Sequence, residues 1–148
     1  MKALGLDVGS KTIGLAFNSD EQSNIALAWE VWRRQGHQSD AKEMIRRLRE
    51  KQIEIVVVGM PLELDGRQGA RARAVSRFVE VFQQYLDAEE EEVKIEFWDE
   101  RFSTCAAERT MLEANVSRSK RKQKIDAVAA QFILQGWLDF KQGQGAQR

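Results

Sequence analysis

One cysteine, Cys105, means that no internal disulfide can form, and with a single histidine, His37, the chain offers no Cys/His set of the kind that binds structural zinc. A reducing compartment agrees with this, and cytoplasm is the simplest expectation. No apolar run approaches the roughly 18 residues that a membrane-spanning helix needs. The start, Met1-Lys2-Ala3, enters an alternating segment at once and lacks the apolar stretch and cleavage site of a secretory signal. Net charge is also missing: 23 basic residues balance 23 acidic ones, which argues against a protein that coats nucleic acid without selectivity. The charge is polarised along the chain, however. Asp87 and Glu89 to Glu92 form an acidic block, and Arg118, Lys120, Arg121, Lys122 and Lys124 a basic one, so a basic face can exist on a neutral protein. At 148 residues the chain can bury one core without a disulfide or metal to hold it.

What the sequence does contain is a readable order of elements. Leu4, Leu6 and Val8 alternate, as do Ile13, Leu15 and Phe17, with Gly9 and Ser10 between them, which predicts a hairpin. Ile25, Leu27, Trp29 and Val31 keep the same two-residue period and predict a third strand from Ile25 to Trp32. The period then changes: Ala41, Met44, Ile45 and Leu48 fall on one helical stripe, with Ser39 or Asp40 as the cap. Ile53 to Val58 is a continuous β-branched run suited to a strand buried on both faces. The following segment, Gly59 to Gly69, carries three glycines and the sole proline, Pro61, and predicts a long ordered loop. Val75, Phe78, Val79, Phe82 and Leu86 predict a helix, and Val93, Ile95 and Phe97 a short last strand. A helix capped by Ser103 or Thr104 should run to Glu113, and a final one from about Lys124 to Phe140. Three strands, helix, strand, helix, strand, helix, helix describe an α/β fold with one mixed five-stranded sheet, its first three strands antiparallel, flanked by helices over residues 1–140. The Gly- and Gln-rich residues 141–148 read as a disordered tail.

Three acids stand at the ends of elements: Asp7, Glu100 and Asp126. Asp7 shares a strand face with Ala3, Gly5 and Gly9, which leaves room for a bulky ligand. Glu100 follows the last strand, although strand parity leaves the choice between Asp99 and Glu100 open. Asp126 begins the final helix, whose Ala127, Ala129 and Ala130 permit close approach to the sheet. Should these carboxylates converge, their mutual repulsion calls for a cation, and a set of hard oxygen donors suits Mg²⁺ or Mn²⁺. Two such ions about 3.5–4 Å apart can activate water and stabilise a leaving oxygen in phosphodiester hydrolysis. The plainer reading is equally available: an acid at a helix start is commonly a cap, and glycines after Asp7 can simply shape a turn. The Asp7-x-Gly9 start is also compatible with a phosphate loop of the kind found in much longer two-domain ATPases.

The basic block from Arg118 to Lys124 precedes Asp126 and can hold phosphates beside such a site, or can be a solvated loop. Lys11, Arg101 and the group Arg67, Arg71 and Arg73 can extend the track, with Arg101 placed to touch a phosphate or support the neighbouring acid. Trp29, Trp32, Trp98 and Trp137 read as packing, and His37 has no assigned role.

Four motifs together, Gly5-Leu6-Asp7-Val8-Gly9-Ser10-Lys11-Thr12-Ile13-Gly14, Val58-Gly59-Met60-Pro61 with Asp65-Gly66 and Gly69, Asp99-Glu100-Arg101-Phe102-Ser103-Thr104 with Ala107-Glu108, and Lys124 to Ala130 with Ile133-Leu134-Gln135, resemble the YqgF-type family. Its members are described both as Holliday-junction resolvases and as pre-16S ribosomal RNA nucleases. The resemblance implies a ribonuclease H-like fold and a catalytic, metal-binding triad at Asp7, Glu100 and Asp126, with Glu100 preferred over Asp99. Met60 departs from the family's common leucine by a volume-conserving swap. The resemblance implies a nucleic-acid partner and no membrane, with pre-16S ribosomal RNA favoured over branched DNA. No heptad seam announces a dimer, so both monomer and homodimer stay open. A binding protein without turnover, and a small nucleotide-binding ATPase domain, are the other classes the sequence allows.

Overall fold

The computed structural model describes the backbone of residues 1–102 and 118–146, with the side chains of 1–101 and 127–143. Strands β1 (Ala3–Val8), β2 (Thr12–Asn18) and β3 (Ala26–Arg33) are followed by α1 (His37–Glu50), β4 (Ile55–Met60), α2 (Ala70–Ala88), β5 (Lys94–Asp99), a 3₁₀ turn at Glu100–Phe102, and α3 (Arg118–Ala146). The sheet order is β3-β2-β1-β4-β5. The first three strands pair antiparallel, whereas β4 runs parallel to both β1 and β5. The mixed five-stranded sheet expected from the sequence is therefore present. Among the described residues no helix is long and apolar enough to cross a membrane.

Strand alternation divides the core. Leu4, Leu6 and Val8 of β1, with Val56, Val58 and Met60 of β4, face Met44, Ile45 and Leu48 of α1 and Phe78 and Phe82 of α2. The opposite face is built from Ala3, Ala16, Ile55 and Val57 against Ala130, Ile133, Leu134 and Trp137 of α3. All six residues of both β1 and β4 are buried, which accounts for the unbroken apolar run in β4. On the α3 face β1 carries little apolar bulk, with Ala3 and Gly5 beneath the helix while β4 contributes Ile55 and Val57. A Cβ added to Gly5 would stand 2.8 Å from Leu134 Cβ and 3.0 Å from the Ala130 carbonyl oxygen, so the helix axis rests directly on the strand backbone.

Several element boundaries differ from the expected ones. Helix α1 starts at His37, with Gly36 at its N-cap and no side-chain cap; neither Ser39 nor Asp40 fills that position. Gly36 has φ +128°, which only glycine adopts without strain, and it lets the chain turn from β3 into the helix. Strand β3 lies at a sheet edge with a register irregularity opposite Leu15/Ala16, and Ile25 and Leu27 are 64% and 40% exposed instead of facing a core. Helix α3 begins at Arg118, so the basic block expected to precede the helix is its first turns, as the good helix propensity of Lys and Arg permits. The same helix continues through residues read as a tail, as far as Ala146. The helix expected from Ser103 to Glu113 lies outside the described residues, as does Cys105.

Asp40 has a different task from capping. It is fully buried, and its carboxylate accepts hydrogen bonds from Trp32 Nε1 (2.9 Å), Arg34 Nε (2.9 Å) and the Gln35 amide (2.8 Å). Arg34 in turn donates from Nη1 to the Gly9 carbonyl (2.8 Å), while its own amide donates to the Lys11 carbonyl (2.9 Å). One buried acid thus orders the end of β3 and, through Arg34, the turn between β1 and β2. Burial pushes Asp40 up, but the Gln35 amide, the Trp32 indole and Arg34 outweigh it and hold the carboxyl below its ordinary 3.8.

Two outcomes follow for stability. Gly5→Ala should destabilise the fold by about 1–3 kcal/mol in urea titrations, because the new methyl meets helix backbone and not a movable side-chain end. Asp40→Asn should cost about 3 kcal/mol near neutral pH, since it leaves Arg34 partly buried without its counter-charge. The native Asp40 binds its proton less readily than the unfolded one, so its stabilisation is complete above pH 3.8 and is lost as pH falls through the lower native value. The gap between wild type and Asp40→Asn in thermal melts should narrow over that acid range and stay constant above it.

Candidate active site at the carboxyl edge of the sheet

Because β1, β4 and β5 are mutually parallel, Val8, Met60 and Asp99 end at one edge of the sheet. Asp7 is the penultimate residue of β1, pairs with Gly14 of β2, and is 8% exposed. By alternation it shares the α3 face with Ala3 and Gly5. Leu6 pairs with Val58, so the next residues along, Asp7 and Gly59, are neighbours on adjacent strands.

Gly59 decides what that neighbourhood can hold. A Cβ there would lie 3.3 Å from Glu100 Cδ and 2.5 Å from Ile133 Cδ1. The carboxyl of Glu100 therefore lies over β4 at the residue beside Asp7, in space that any larger residue would fill. Glu100 continues the parity of Glu96 and Trp98, whose contacts are with α3: Trp137 Nε1 donates to Glu96 Oε2 (2.6 Å), and Trp98 packs on the α3-side core.

Asp99 points elsewhere. Its carboxylate is held by Arg101, with Nε at 3.0 Å from both oxygens and Nη2 at 2.6 Å from Oδ2. The bonds from Arg101 hold Asp99 below the usual carboxylate range. The structure thus brings Glu100, not Asp99, to Gly59 and Asp7. Arg101 is held at the surface: besides Asp99 it donates from Nη1 to the Leu64 carbonyl at 3.3 Å.

Helix α3 crosses above this pair. Ala130 and Leu134 lie over Gly5 and Ile133 over Gly59, whereas Leu138 and Lys141 line a cleft with Met1 and Ile55 at the far end of the strands. The helix therefore runs opposite to β1, and its N-terminal part leads toward Asp7. Asp126 stands four residues before Ala130, about 6 Å along the axis, while Asp7 stands two residues after Gly5, about 7 Å along the strand. The backbone of Asp126 is thus carried to the same edge; its side chain lies outside the described residues. Among the described residues no group of three or more His, Cys, Asp or Glu side chains is placed to hold a metal.

Of the expected nucleic-acid contacts, Lys11 is exposed on the turn after Asp7. Arg118, Lys120, Arg121, Lys122 and Lys124 occupy the turns of α3 that lead to Asp126, with side chains outside the described residues. Arg67, Arg71 and Arg73 are exposed on the β4–α2 loop and the start of α2. Sequence reading missed Arg34, which holds both carbonyls of the turn next to Asp7. Its only signal was proximity to the turn-forming Gly36, because nothing local reveals a contact spanning 25 residues.

Comparison with known proteins places the chain in a family. The profile of the family described as "RuvX: Holliday junction resolvase" matches residues 1–140. A Myxococcus xanthus protein named "Putative pre-16S rRNA nuclease" is 46% identical over 139 residues, covering 94% of this chain and 88% of its own. A protein of the same name from Clostridioides difficile is 45% identical over 140 residues, covering 95% of each. Among solved structures, Thermus thermophilus RuvC in complex with a Holliday junction substrate aligns with TM-score 0.62 at 18% identity, covering 97% of this chain and 96% of its own. The yeast mitochondrial Holliday junction resolvase Ydc2 aligns with TM-score 0.53 at 14% identity, covering 92% and 77%. At such identities the structural likeness speaks for the fold alone. The strand order with three antiparallel strands first, the motifs around Asp7, Gly59, Glu100 and Asp126, and this match over nearly the whole length make the chain a member of the RuvX, or YqgF-type, nuclease family with a RuvC-like, ribonuclease H-like fold.

Proposed function

We propose that the chain is a divalent-metal-dependent endonuclease that trims the 5′ end of pre-16S ribosomal RNA, with Asp7, Glu100 and Asp126 as its metal-binding catalytic residues. The observation that carries this reading is the placement of the Glu100 carboxyl over Gly59, beside the buried Asp7, at the edge toward which α3 carries Asp126. Two carboxylates brought near one another where a glycine leaves room for Glu100 suit a hard cation, and oxygen donors without His or Cys favour Mg²⁺ or Mn²⁺. When bound, such a cation supplies charge stabilisation and an activated water for phosphodiester hydrolysis. The chain's own residues do the rest: Asp7 and Glu100 fix where the reacting phosphate can sit, and Lys11 and the basic turns of α3 hold flanking phosphates. The names of the Myxococcus and Clostridioides relatives favour ribosomal RNA. The family description favours the second reading, resolution of branched DNA, and the two differ in substrate but not in the residues used.

The test is cleavage of an end-labelled pre-16S ribosomal RNA 5′ fragment and of a four-way DNA junction, with Mg²⁺ or Mn²⁺. Asp7→Asn and Glu100→Gln should each lower metal-dependent kcat/KM by about 100-fold or more at near-native Tm. Equal residual cutting by wild type and both variants would sink the assignment, and faster cutting of the junction would hand it to branched DNA. Removal of the cation with EDTA should abolish cleavage, and its return should restore it.

Gly59→Ala probes the crevice separately. The new methyl displaces the Ile133 tip, which can move, and crowds the Glu100 carboxyl, which then leaves its position. Cleavage should fall about 10- to 100-fold and need more Mn²⁺, with a stability loss of only about 1–2 kcal/mol. Unchanged metal dependence would show that the space over Gly59 is not the cation site.

A further inference from the structure

Leu64 is 95% exposed, the extreme among large apolar side chains of the described residues. Isolated exposed leucines are ordinary on protein surfaces. This one differs in where it is and in how firmly it is kept out. The other strongly exposed apolar residues, Met1, Ile25, Leu27, Phe97 and Phe140, sit at the far end of the strands, on the β3 or β5 edge strands or near the end of α3; Leu64 alone lies on a connection leaving the carboxyl edge, four residues after Met60.

The loop that carries it cannot easily fold back to hide it. The Glu63 amide donates to the Arg67 carbonyl (2.9 Å), the Gly66 amide to the Glu63 carbonyl (2.8 Å), and the Arg67 amide to Asp65 Oδ1 (3.1 Å). Gly66 takes φ +89°, closing the turn, and a Cβ there would meet Arg101 Nη1 at 3.4 Å. Arg101 then fastens the tip, donating to the Leu64 carbonyl while it is gripped by Asp99. The residue fastening Leu64 is therefore the immediate neighbour of Glu100. Leu62 packs on the core below, Glu63 and Asp65 stand exposed on either side of Leu64, and Arg67 is ion-paired with Asp65 (2.6 Å). A single apolar projection on a hydrogen-bonded loop of mixed charge, tied through Arg101 to the residue next to Glu100, has the character of a wedge against a nucleobase and not of a protein-docking patch, which would need contiguous apolar area.

We infer that Leu64 is a specificity-determining contact that inserts against a base of the substrate next to the cleaved phosphate, unstacking it where a paired segment meets an unpaired one. This rests on the nuclease reading above and adds to it a preference for junctions between paired and unpaired nucleic acid. Arg101 is the positioning residue for the wedge, through the Leu64 carbonyl.

The probe is an RNA hairpin with a single-stranded 5′ extension and 2-aminopurine at the junction, bound to the full chain carrying Asp7→Asn so that it is not cut; a four-way DNA junction with the same label is the second arm. Binding is followed by anisotropy and unstacking by 2-aminopurine emission. The parent should raise emission several-fold; adding Leu64→Ser should leave anisotropy affinity within about threefold but abolish the rise, and Leu64→Phe should restore it. In otherwise wild-type protein, Leu64→Ser should slow cutting of the hairpin junction about tenfold and leave a fully single-stranded substrate unaffected. Because the side chain is in solvent, Tm should not change. An unaltered emission rise in Leu64→Ser, or binding by the parent without any rise, overturns the wedge and leaves the nuclease reading standing. Failure to bind either polymer overturns both.

Discussion

The contact on which the arrangement depends is the seating of α3 on glycine. Leu134 and Ala130 rest on Gly5, and Ile133 on Gly59, at distances that leave no room for a β-carbon. Close-packed interiors do not yield to an added methyl when backbone is the obstacle. The helix therefore has one height above the sheet and one direction across it. That height sets the clearance above β4 in which the Glu100 carboxyl lies, and that direction delivers Asp126 to the edge where Asp7 is buried. The core on this face serves the site as much as it serves stability.

On the opposite face a different constraint reaches the same edge. Asp40 is a charge in a fully buried position, tolerable only because three donors converge on it. It aims Arg34, whose guanidinium also stands over the Phe78 ring at 5.2 Å, so apolar packing and a charge-assisted bond fix the same group. From there Arg34 reaches the turn that follows Asp7. The turn is short and glycine-led, and without such a tie it would be free to move Asp7, whose carboxylate the proposed site sets beside Glu100.

The sequence disclosed what depends on periodicity and little of what depends on contact at a distance. The two-residue alternation of Leu4, Leu6 and Val8 puts Asp7 on the small-residue face, and the β-branched run to Val58 marks a strand buried on both sides, as the structure has them. Strand β3 is legible as a strand but its exposure is not, because its alternation is the same whether the outer face is covered or bare, and Ile25 and Leu27 are exposed. Asp40 was read as a helix cap because the local rule favours acids there; burial against Trp32 and Arg34 overrides it. The choice of Glu100 over Asp99 was undecidable from parity alone. In the structure Arg101 claims Asp99, and Gly59 makes room for the Glu100 carboxyl from 41 residues away.

Why the acids gather at this edge, and not at another, follows from chain topology. From β1 the chain turns one way in the sheet, to β2 and β3, and after α1 it returns to the other side of β1 as β4, then β5. The connections leaving the carboxyl ends of β1 and β4 thus diverge, and in open α/β sheets such a divergence leaves a crevice just beyond the strand ends. A crevice of this kind is normally narrowed by side chains of the two strands. Here one strand contributes Asp7 and the other contributes nothing, because its residue at that level is Gly59. Glu100 can then reach inward from the end of β5 and lie over β4 at Gly59. A glutamate from two strands away comes to lie over the residue next to an aspartate in the centre because that residue has no side chain, which is why the glycine matters to the proposed chemistry as much as the acids do.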